Sequence, residues 1–332
     1  LFIGGRSMPY QYGATPKSCI LINKGNAVFE DQTASFNPDI YNLGMVTNAL
    51  FANVVGNNQN ELVVVGEWMT PRIFELTSNK LVEVKTNLNN YFGWWQSIAI
   101  ADVNADGKQD LVLGNYGKNF YLKPNIEQPV KLWINDFDNN GIVDKVFSRT
   151  IDKKDVPVFL KKEFTEILPS YKKANLLHHE FAQKTIQTIF GDSLIRKATV
   201  KTFNYCESVV AINKGNGQFQ LQALPTEAQL STLNAIKPID VNDDGFTDLI
   251  VAGNATDCLP QFGRCDANDG LMLINNGKGF FNALNSKQSG LKVSGNVRDI
   301  QIIQSAQKTQ VLFLLNNQQP ILYTKQTMKP GF

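Results

Sequence analysis

The chain has 332 residues, of which 43% are hydrophobic and 19% charged, the balance of an ordinary globular protein, so an intrinsically disordered chain is excluded. Its 32 Lys and Arg nearly cancel 30 Asp and Glu to a net charge of +2, so no overall field draws it to nucleic acid or to an anionic membrane, and a partner must be recognised locally. No apolar run is long enough to span a bilayer, and LFIGGRSMPY lacks the regions of a signal peptide; the chain reads as soluble and already trimmed.

In chain order, LFIGG at the start reads as a strand and aligns with LVLGN at 111–115, which places residue 1 in mid-repeat and predicts a C-terminal part of a longer protein. CILINKGNAVFE (19–30) is a strand, an Asn/Lys-Gly turn and a strand, and the phrase returns as VVAINKGNGQFQ (209–220) and LMLINNGKGFFN (271–282). A second phrase, strand, acidic loop, strand, is IAIADVNADGKQDLVLGN (98–115) and IKPIDVNDDGFTDLIVAGN (236–254). NALFANVVGNNQNELVVVGE (48–67) keeps its strands but has lost most acids, with Asn53, Val55, Asn57 and Glu61 at the ligand positions. WINDFDNNGIVDKVF (133–147) keeps the acids in another setting. QIIQSAQKTQVLFLLNN (301–317) keeps the strands with Ile302, Gln304, Ala306 and Gln310 in place of ligands. Between these, residues 155–197 change period: Phe164, Ile167, Leu168 and Tyr171, then Phe181, Ile186, Ile189 and Phe190, are spaced for helices, with Pro169 dividing them.

Short apolar runs separated by Gly, Asn and Asp turns predict an all-β fold, a single β-propeller over 1–332 with about six to seven four-stranded blades and a helical insertion at 155–197. The expected blades span 1–35, 45–86, 95–135, 136–225 with the insertion, 233–285 and 293–328.

Three loops share the spacing D-x-[DN]-x-[DN]-G-x-x-D: Asp102, Asn104, Asp106 and Asp110; Asp136, Asp138, Asn140 and Asp144; Asp240, Asn242, Asp244 and Asp248. A curled loop turns side chains 1, 3 and 5 inward as hard oxygen ligands, and the glycine at position 6 brings the carbonyl of position 7 into reach, here Lys108, Ile142 and Phe246. The acid at position 9 completes the cage. An EF-hand needs Glu at position 12; Leu113, Phe147 and Val251 stand there, in strands, so the expectation is Ca²⁺ in about three strand-flanked sites.

Other features carry less. Cys258 and Cys265 bracket a loop short enough for a disulfide, the alternative being four separate thiols with Cys19 and Cys206. His178 and His179 are the two histidines, and in HEFAQ Gln183 replaces the second ligand of a zincin motif. Trp68, Trp94 and Trp95 read either as an aromatic platform for a sugar or as filling between blades, and Arg6, Glu67 and Asn115 either face a channel or pair with one another. Asn254-Ala255-Thr256 matches a glycosylation acceptor but weighs little.

The acidic loops and their strands resemble the FG-GAP or VCBS repeats of integrin-α-like propellers. GGRSMPYQYGATPKSCILINKG, NLGMVTNALF, VVVGEWM, GWWQSIAIADVNADGKQDLVLGN and DFDNNGIVD further resemble the repeat region of bacterial relatives of cartilage acidic protein, the ASPIC/UnbV group. The resemblance implies calcium between strands of a blade and an extracytoplasmic setting, secreted or at a bacterial outer membrane or cell surface. It carries over no reaction. The expected function is a calcium-binding module or scaffold for an extracellular protein or glycan, without nucleic acid or membrane span; the alternative is a propeller-type polysaccharide lyase or hydrolase, which requires converging acid and base groups.

Overall fold

The computed structural model describes residues 1–256, 263–305 and 308–325. The repeated phrases fold as antiparallel hairpins that assemble into six sheets. The first contains β1 (Phe2–Ile3), β2 (Cys19–Asn23) and β3 (Phe29–Asp31), followed by a short helix α1 (Thr33–Phe36). The second runs β4 (Met45–Ala52), β5 (Glu61–Met69), β6 (Arg72–Thr77) and β7 (Lys80–Val84), with β8 (Gly93–Trp94) added against β5. Then β9 (Ser97–Ala101) and β10 (Asp110–Gly114) form a hairpin around the first acidic loop, with Asp110 opposite Ala101 and Gly114 opposite Ser97.

At this point the structure departs from the expected blades 95–135 and 136–225. β11 (Val130–Asn135), β12 (Asp144–Ile151) and β13 (Lys154–Pro157) form a sheet of their own. Its fourth member is β14 (Thr199–Phe203), after helices α2 (Lys161–Ile167), α3 (His178–Ala182), α4 (Ile186–Phe190) and α5 (Asp192–Lys197). β10 instead pairs with β15 (Val209–Gly215), which pairs with β16 (Gln218–Ala223). Residues 115–208 are therefore inserted between the second and third strands of one sheet. The two ends of the insert are tied together: Asn115 N–H donates to Ser208 Oγ (2.9 Å) and Gly117 N–H to the Cys206 carbonyl (2.7 Å). Neighbours in sequence were expected to pair, but an insert whose ends meet leaves the parent hairpins undisturbed.

The chain closes with β17 (Leu233–Ile239), β18 (Asp248–Gly253), β19 (Leu271–Asn275) and β20 (Phe281–Leu284) in the fifth sheet. Helix α6 (Ser286–Ser289) leads to the sixth, β21 (Val297–Gln304), β22 (Thr309–Leu315) and β23 (Ile321–Thr324). The second strands β5, β10 and β18 are buried at every residue because sheets cover both faces, which is why they read as unbroken apolar runs. Apolar clusters join the first sheet to the second through Ile20 and Leu62, the second to the third through Val63 and Leu111, the third to the fifth through Val112 and Leu249, and the fifth to the sixth through Ile250 and Phe313. Five sheets thus stack face to face, and the inserted sheet lies outside that series, against Trp68 and Trp94.

The glycine near the end of each second strand, Gly66 within β5 and Gly114 and Gly253 closing β10 and β18, has a steric reason. A β-carbon at Gly66, Gly114 or Gly253 would collide with the Met45 carbonyl, the Ser97 hydroxyl or the Thr232 carbonyl, respectively. Close approach of the first strand, with its register shifts between Val46 and Asn48 and between Leu233 and Ala235, leaves no room for a side chain.

Candidate metal centre

All three acidic loops join two antiparallel strands, and all curl in the same way. Position 4 (Ala105, Asn139, Asp243) and the glycine at position 6 (Gly107, Gly141, Gly245) have positive φ, between 55° and 87°. The left-handed residue at position 4 was not foreseen from the motif, because alanine, asparagine and aspartate share no obvious preference there. At position 1 one carboxylate accepts two loop N–H groups. Asp102 takes those of Asp106 (3.1 Å) and Gly107 (2.8 Å), Asp136 those of Asn140 (3.0 Å) and Gly141 (2.8 Å), and Asp240 those of Asp244 (3.2 Å) and Gly245 (2.9 Å). The position 7 N–H donates to the position 5 side chain: Lys108 to Asp106, Ile142 to Asn140, Phe246 to Asp244.

Position 9 divides the loops. Asp110 and Asp248 are fully buried, and each uses both oxygens on backbone. Asp110 accepts from Val103 (3.1 Å) and from Asn213 (2.7 Å); Asp248 accepts from Val241 (3.0 Å) and Asn275 (2.8 Å). Asp144 has the counterpart of the first bond, from Phe137 (2.9 Å), and among the described residues nothing equivalent to the second. In the loop that lost its other acids, Glu61 retains the clamp, accepting from Val54 (2.7 Å) and Val55 (3.0 Å), while its other oxygen is buried without a partner. Burial pushes the carboxyl groups of Asp110, Asp144 and Asp248 above the usual range, opposed by the N–H groups they accept and reinforced by the neighbouring loop acids. At Asp106 burial acts in the same direction but hydrogen bonds from Lys108 and Asn104 prevail and hold its carboxyl below the usual range.

Among the described residues, the three carboxylates Asp136, Asp138 and Asp144 place one oxygen each within 4.8 Å of one another. Asp138 Oδ1 is buried and has no hydrogen-bond partner. Such crowding of like charge and an orphaned buried oxygen fit an oxygen-loving cation. In the other two loops position 3 is an asparagine whose Nδ2 donates to the position 5 acid, Asn104 to Asp106 (3.2 Å) and Asn242 to Asp244 (2.8 Å), so those loops are internally satisfied.

The sequence reading missed the residues that anchor these loops from outside. Asn213, on β15, donates Nδ2 to the Val54 carbonyl of the adjacent sheet (2.7 Å) and to the Gln109 carbonyl (3.0 Å). Asn275, on β19, does the same to Val103 (2.8 Å) and Thr247 (3.0 Å). Lys325 reaches Asp243 Oδ1 (2.6 Å) and the Asp240 carbonyl (3.3 Å). At the inserted loop the anchor is Tyr171 from the segment between α2 and α3, whose hydroxyl donates to the Phe137 carbonyl (2.8 Å). The signal was the Asn of INKG and INNG, read as turn residues alone.

The remaining candidates are structural. Trp68, Trp94 and Trp95 are 4%, 7% and 0% exposed, so they fill the core and form no platform. Trp94 stacks on Phe203 with centroids 4.3 Å apart. Arg6 pairs with Glu67 (2.6 Å), which also accepts from Tyr12 and Gln96. Asn115 is buried, donating Nδ2 to the Tyr205 carbonyl (2.9 Å). His178 and His179 are exposed on α3. Asn254, of the glycosylation tripeptide, is 2% exposed with Nδ2 bonded to the carbonyls of Asn268 (2.7 Å) and Gly295 (2.9 Å), so it is no acceptor in the folded chain. The expected bond between Cys258 and Cys265 lies outside the described residues, as do Ala306 and its role; Cys19 and Cys206 are free thiols.

Where the insert rejoins the parent sheet there is an open cleft of about 720 Å³, walled by Lys118, Lys123, Ile126, Tyr205, Cys206 and Glu207. Lys118 pairs with Glu207, and Tyr205 donates to Glu207 (3.1 Å). Burial, then the Glu207 charge, raises both the Tyr205 hydroxyl and the Cys206 thiol, the latter to about 11.

Residues 94–124, from β8 through the first acidic loop and β10, match the family model described as FG-GAP repeat. No curated protein matches the chain. Among solved structures, a similar chain is an Agrocybe aegerita lectin described for specific recognition of non-reducing terminal N-acetylglucosamine. It is 14% identical, with 95% of this chain and 94% of that one covered, and a TM-score of 0.21, too low for any inference about this chain. Among the described residues no helix is long and apolar enough to cross a membrane.

Proposed function

We propose that this FG-GAP-repeat-containing chain is a calcium-binding β-propeller module that works outside the cytoplasm as a scaffold or receptor surface for a protein or glycan. The observation that carries the calcium reading is the inserted loop, where three carboxylate oxygens crowd within 4.8 Å of one another and Asp138 Oδ1 is buried without a partner. Asp136, Asp138, Asn140, Asp144 and the Ile142 carbonyl are the ligands there. Asp102, Asn104, Asp106, Asp110 and the Lys108 carbonyl, and Asp240, Asn242, Asp244, Asp248 and the Phe246 carbonyl, are their equivalents. A bound divalent cation relieves the repulsion among these acids and ties the rim of each hairpin. The propeller reading is supported by five sheets in face-to-face series and by the FG-GAP match at 94–124. The cleft lined by Lys118, Ile126, Tyr205 and Glu207 is the natural place for a partner.

Thermal unfolding of EDTA-stripped protein, titrated with Ca²⁺ and Mg²⁺ while bound metal is counted, tests the reading. Calcium at about 100 times its dissociation constant stabilises by about 2.7 kcal/mol per site, so a calcium-selective rise in midpoint with about three ions bound is expected. An unchanged midpoint with no bound calcium removes the metal from the proposal. A glycan array and a panel of polysaccharides then separate receptor from enzyme.

A further inference from the structure

We propose that the cation site at 136–144 is a latch: its occupancy fixes the helical segment 161–197 to the inserted sheet. This rests on the calcium reading above. The site is marked by more than its acids. Asp138 Oδ1 is buried and unpartnered, and Asp144, 9% exposed, has one oxygen on the Phe137 N–H and the other without a hydrogen bond to any described residue. Asp138 Oδ1 thus awaits a partner, and an unpaired buried carboxylate oxygen is costly unless a cation supplies one.

The helical segment grips the same loop. Ser170 Oγ donates to Asp138 Oδ2 (3.2 Å), so one carboxylate faces the cluster with one oxygen and the helical segment with the other. Tyr171 holds the Phe137 carbonyl, and the Phe137 ring, itself part of the loop, stacks on Phe190 of α4 at 3.9 Å. Just before the loop, Asn135 donates to the Leu194 carbonyl of α5 (3.1 Å). Beneath lies one apolar cluster in which Trp133 of the sheet and Phe137 of the loop meet Phe164, Phe181 and Phe190 of the helices. The loops at 102 and 240 have asparagine at position 3, bonded within its own loop; aspartate at that position, shared with a helix connection, occurs here.

Coordination of Asp138 fixes the carboxylate on which Ser170 rests and stiffens the turn that carries Phe137. Local opening of the helices then requires release of the cation. Each of α2 to α5 is at most seven residues long, too short to be stable away from this surface.

Hydrogen exchange of the full chain, read at residues 161–197 with calcium chloride as the probe, tests the latch, with bound calcium counted in parallel. At about ten times the half-saturating concentration, exchange there should slow roughly tenfold in the native protein. Asp138→Asn should abolish that protection and bind one calcium fewer, while the metal retained at the other loops shows that it is folded. Ser170→Ala should reduce the protection with the metal count unchanged. Equal protection in Asp138→Asn, or full calcium binding that leaves exchange at 161–197 unaltered, overturns the latch and leaves the calcium reading standing. No bound calcium in the native protein overturns both.

Discussion

The loops at 102–110 and 136–144 have the same spacing and curl but are held by different parts of the molecule. Asn275 of the next stacked sheet grips the Val103 carbonyl, whereas Tyr171 of the chain's own helical segment grips the Phe137 carbonyl. Position 9 follows suit: both oxygens of Asp110 are engaged by backbone, one of them from a separate strand, while Asp144 has one engaged. One motif therefore serves as a joint between sheets in the stack and as a joint between sheet and helices in the insert. What surrounds the loop decides how many of its carboxylate oxygens are already engaged by backbone.

The sharpest way to break this comparison is to remove the position 9 acids in calcium-free protein. Asp110→Ala orphans two buried N–H groups and should cost about 4 kcal/mol of global stability in denaturant unfolding; Asp144→Ala orphans one and should cost about half of that. Equal losses would mean that the two loops are held alike. Next in size, Asn213→Ala removes a buried bond to Val54 of the adjacent sheet and a part-buried one to Gln109 of its own, at about 2–3 kcal/mol, and should lower the midpoint of the whole stack. A smaller and local effect is expected of Tyr171→Phe. About 1 kcal/mol should be lost, visible as faster proteolysis at 161–197 with little change in the main unfolding transition.

The smallest effect concerns the seam between insert and stack. The Cys206 thiol is raised to about 11 from 9.0, first by burial and then by Glu207, so the neutral thiol is favoured in the fold. That contribution is fully present below about pH 9 and is lost as pH rises towards 11. At pH 8 its alkylation, followed by peptide mass spectrometry, should be about 100-fold slower than in the unfolded chain. Rapid alkylation at that pH would show that the seam is open.

Much of this architecture was legible because it is local. Alternation of strand phrases with Gly and Asn turns located the hairpins, and Pro169 marks the end of α2 and the first residue of the following 3₁₀ turn, where its fixed φ and missing N–H belong. The acidic spacing located the three loops, yet the expected blades 95–135 and 136–225 divide the repeat at 133–147, which the structure keeps together as the hairpin β11–β12. Its helical neighbours were legible, but its exclusion from the stack was not, since that follows from β10 pairing with β15 across residues 115–208. Nor could the tryptophans be assigned, because a residue's burial depends on which faces the sheets cover.

The sequence by itself determined the hairpins, their turns, the helical segment and the fifteen candidate ligands, since each depends on residues within about ten positions of one another. The tertiary structure alone decided which strands pair, which loops are closed from outside by Asn213, Asn275, Lys325 or Tyr171, and which carboxylates converge. Those outcomes rest on backbone groups brought together from distant positions, and a carbonyl at Val54 carries no mark in the sequence that Asn213 will find it.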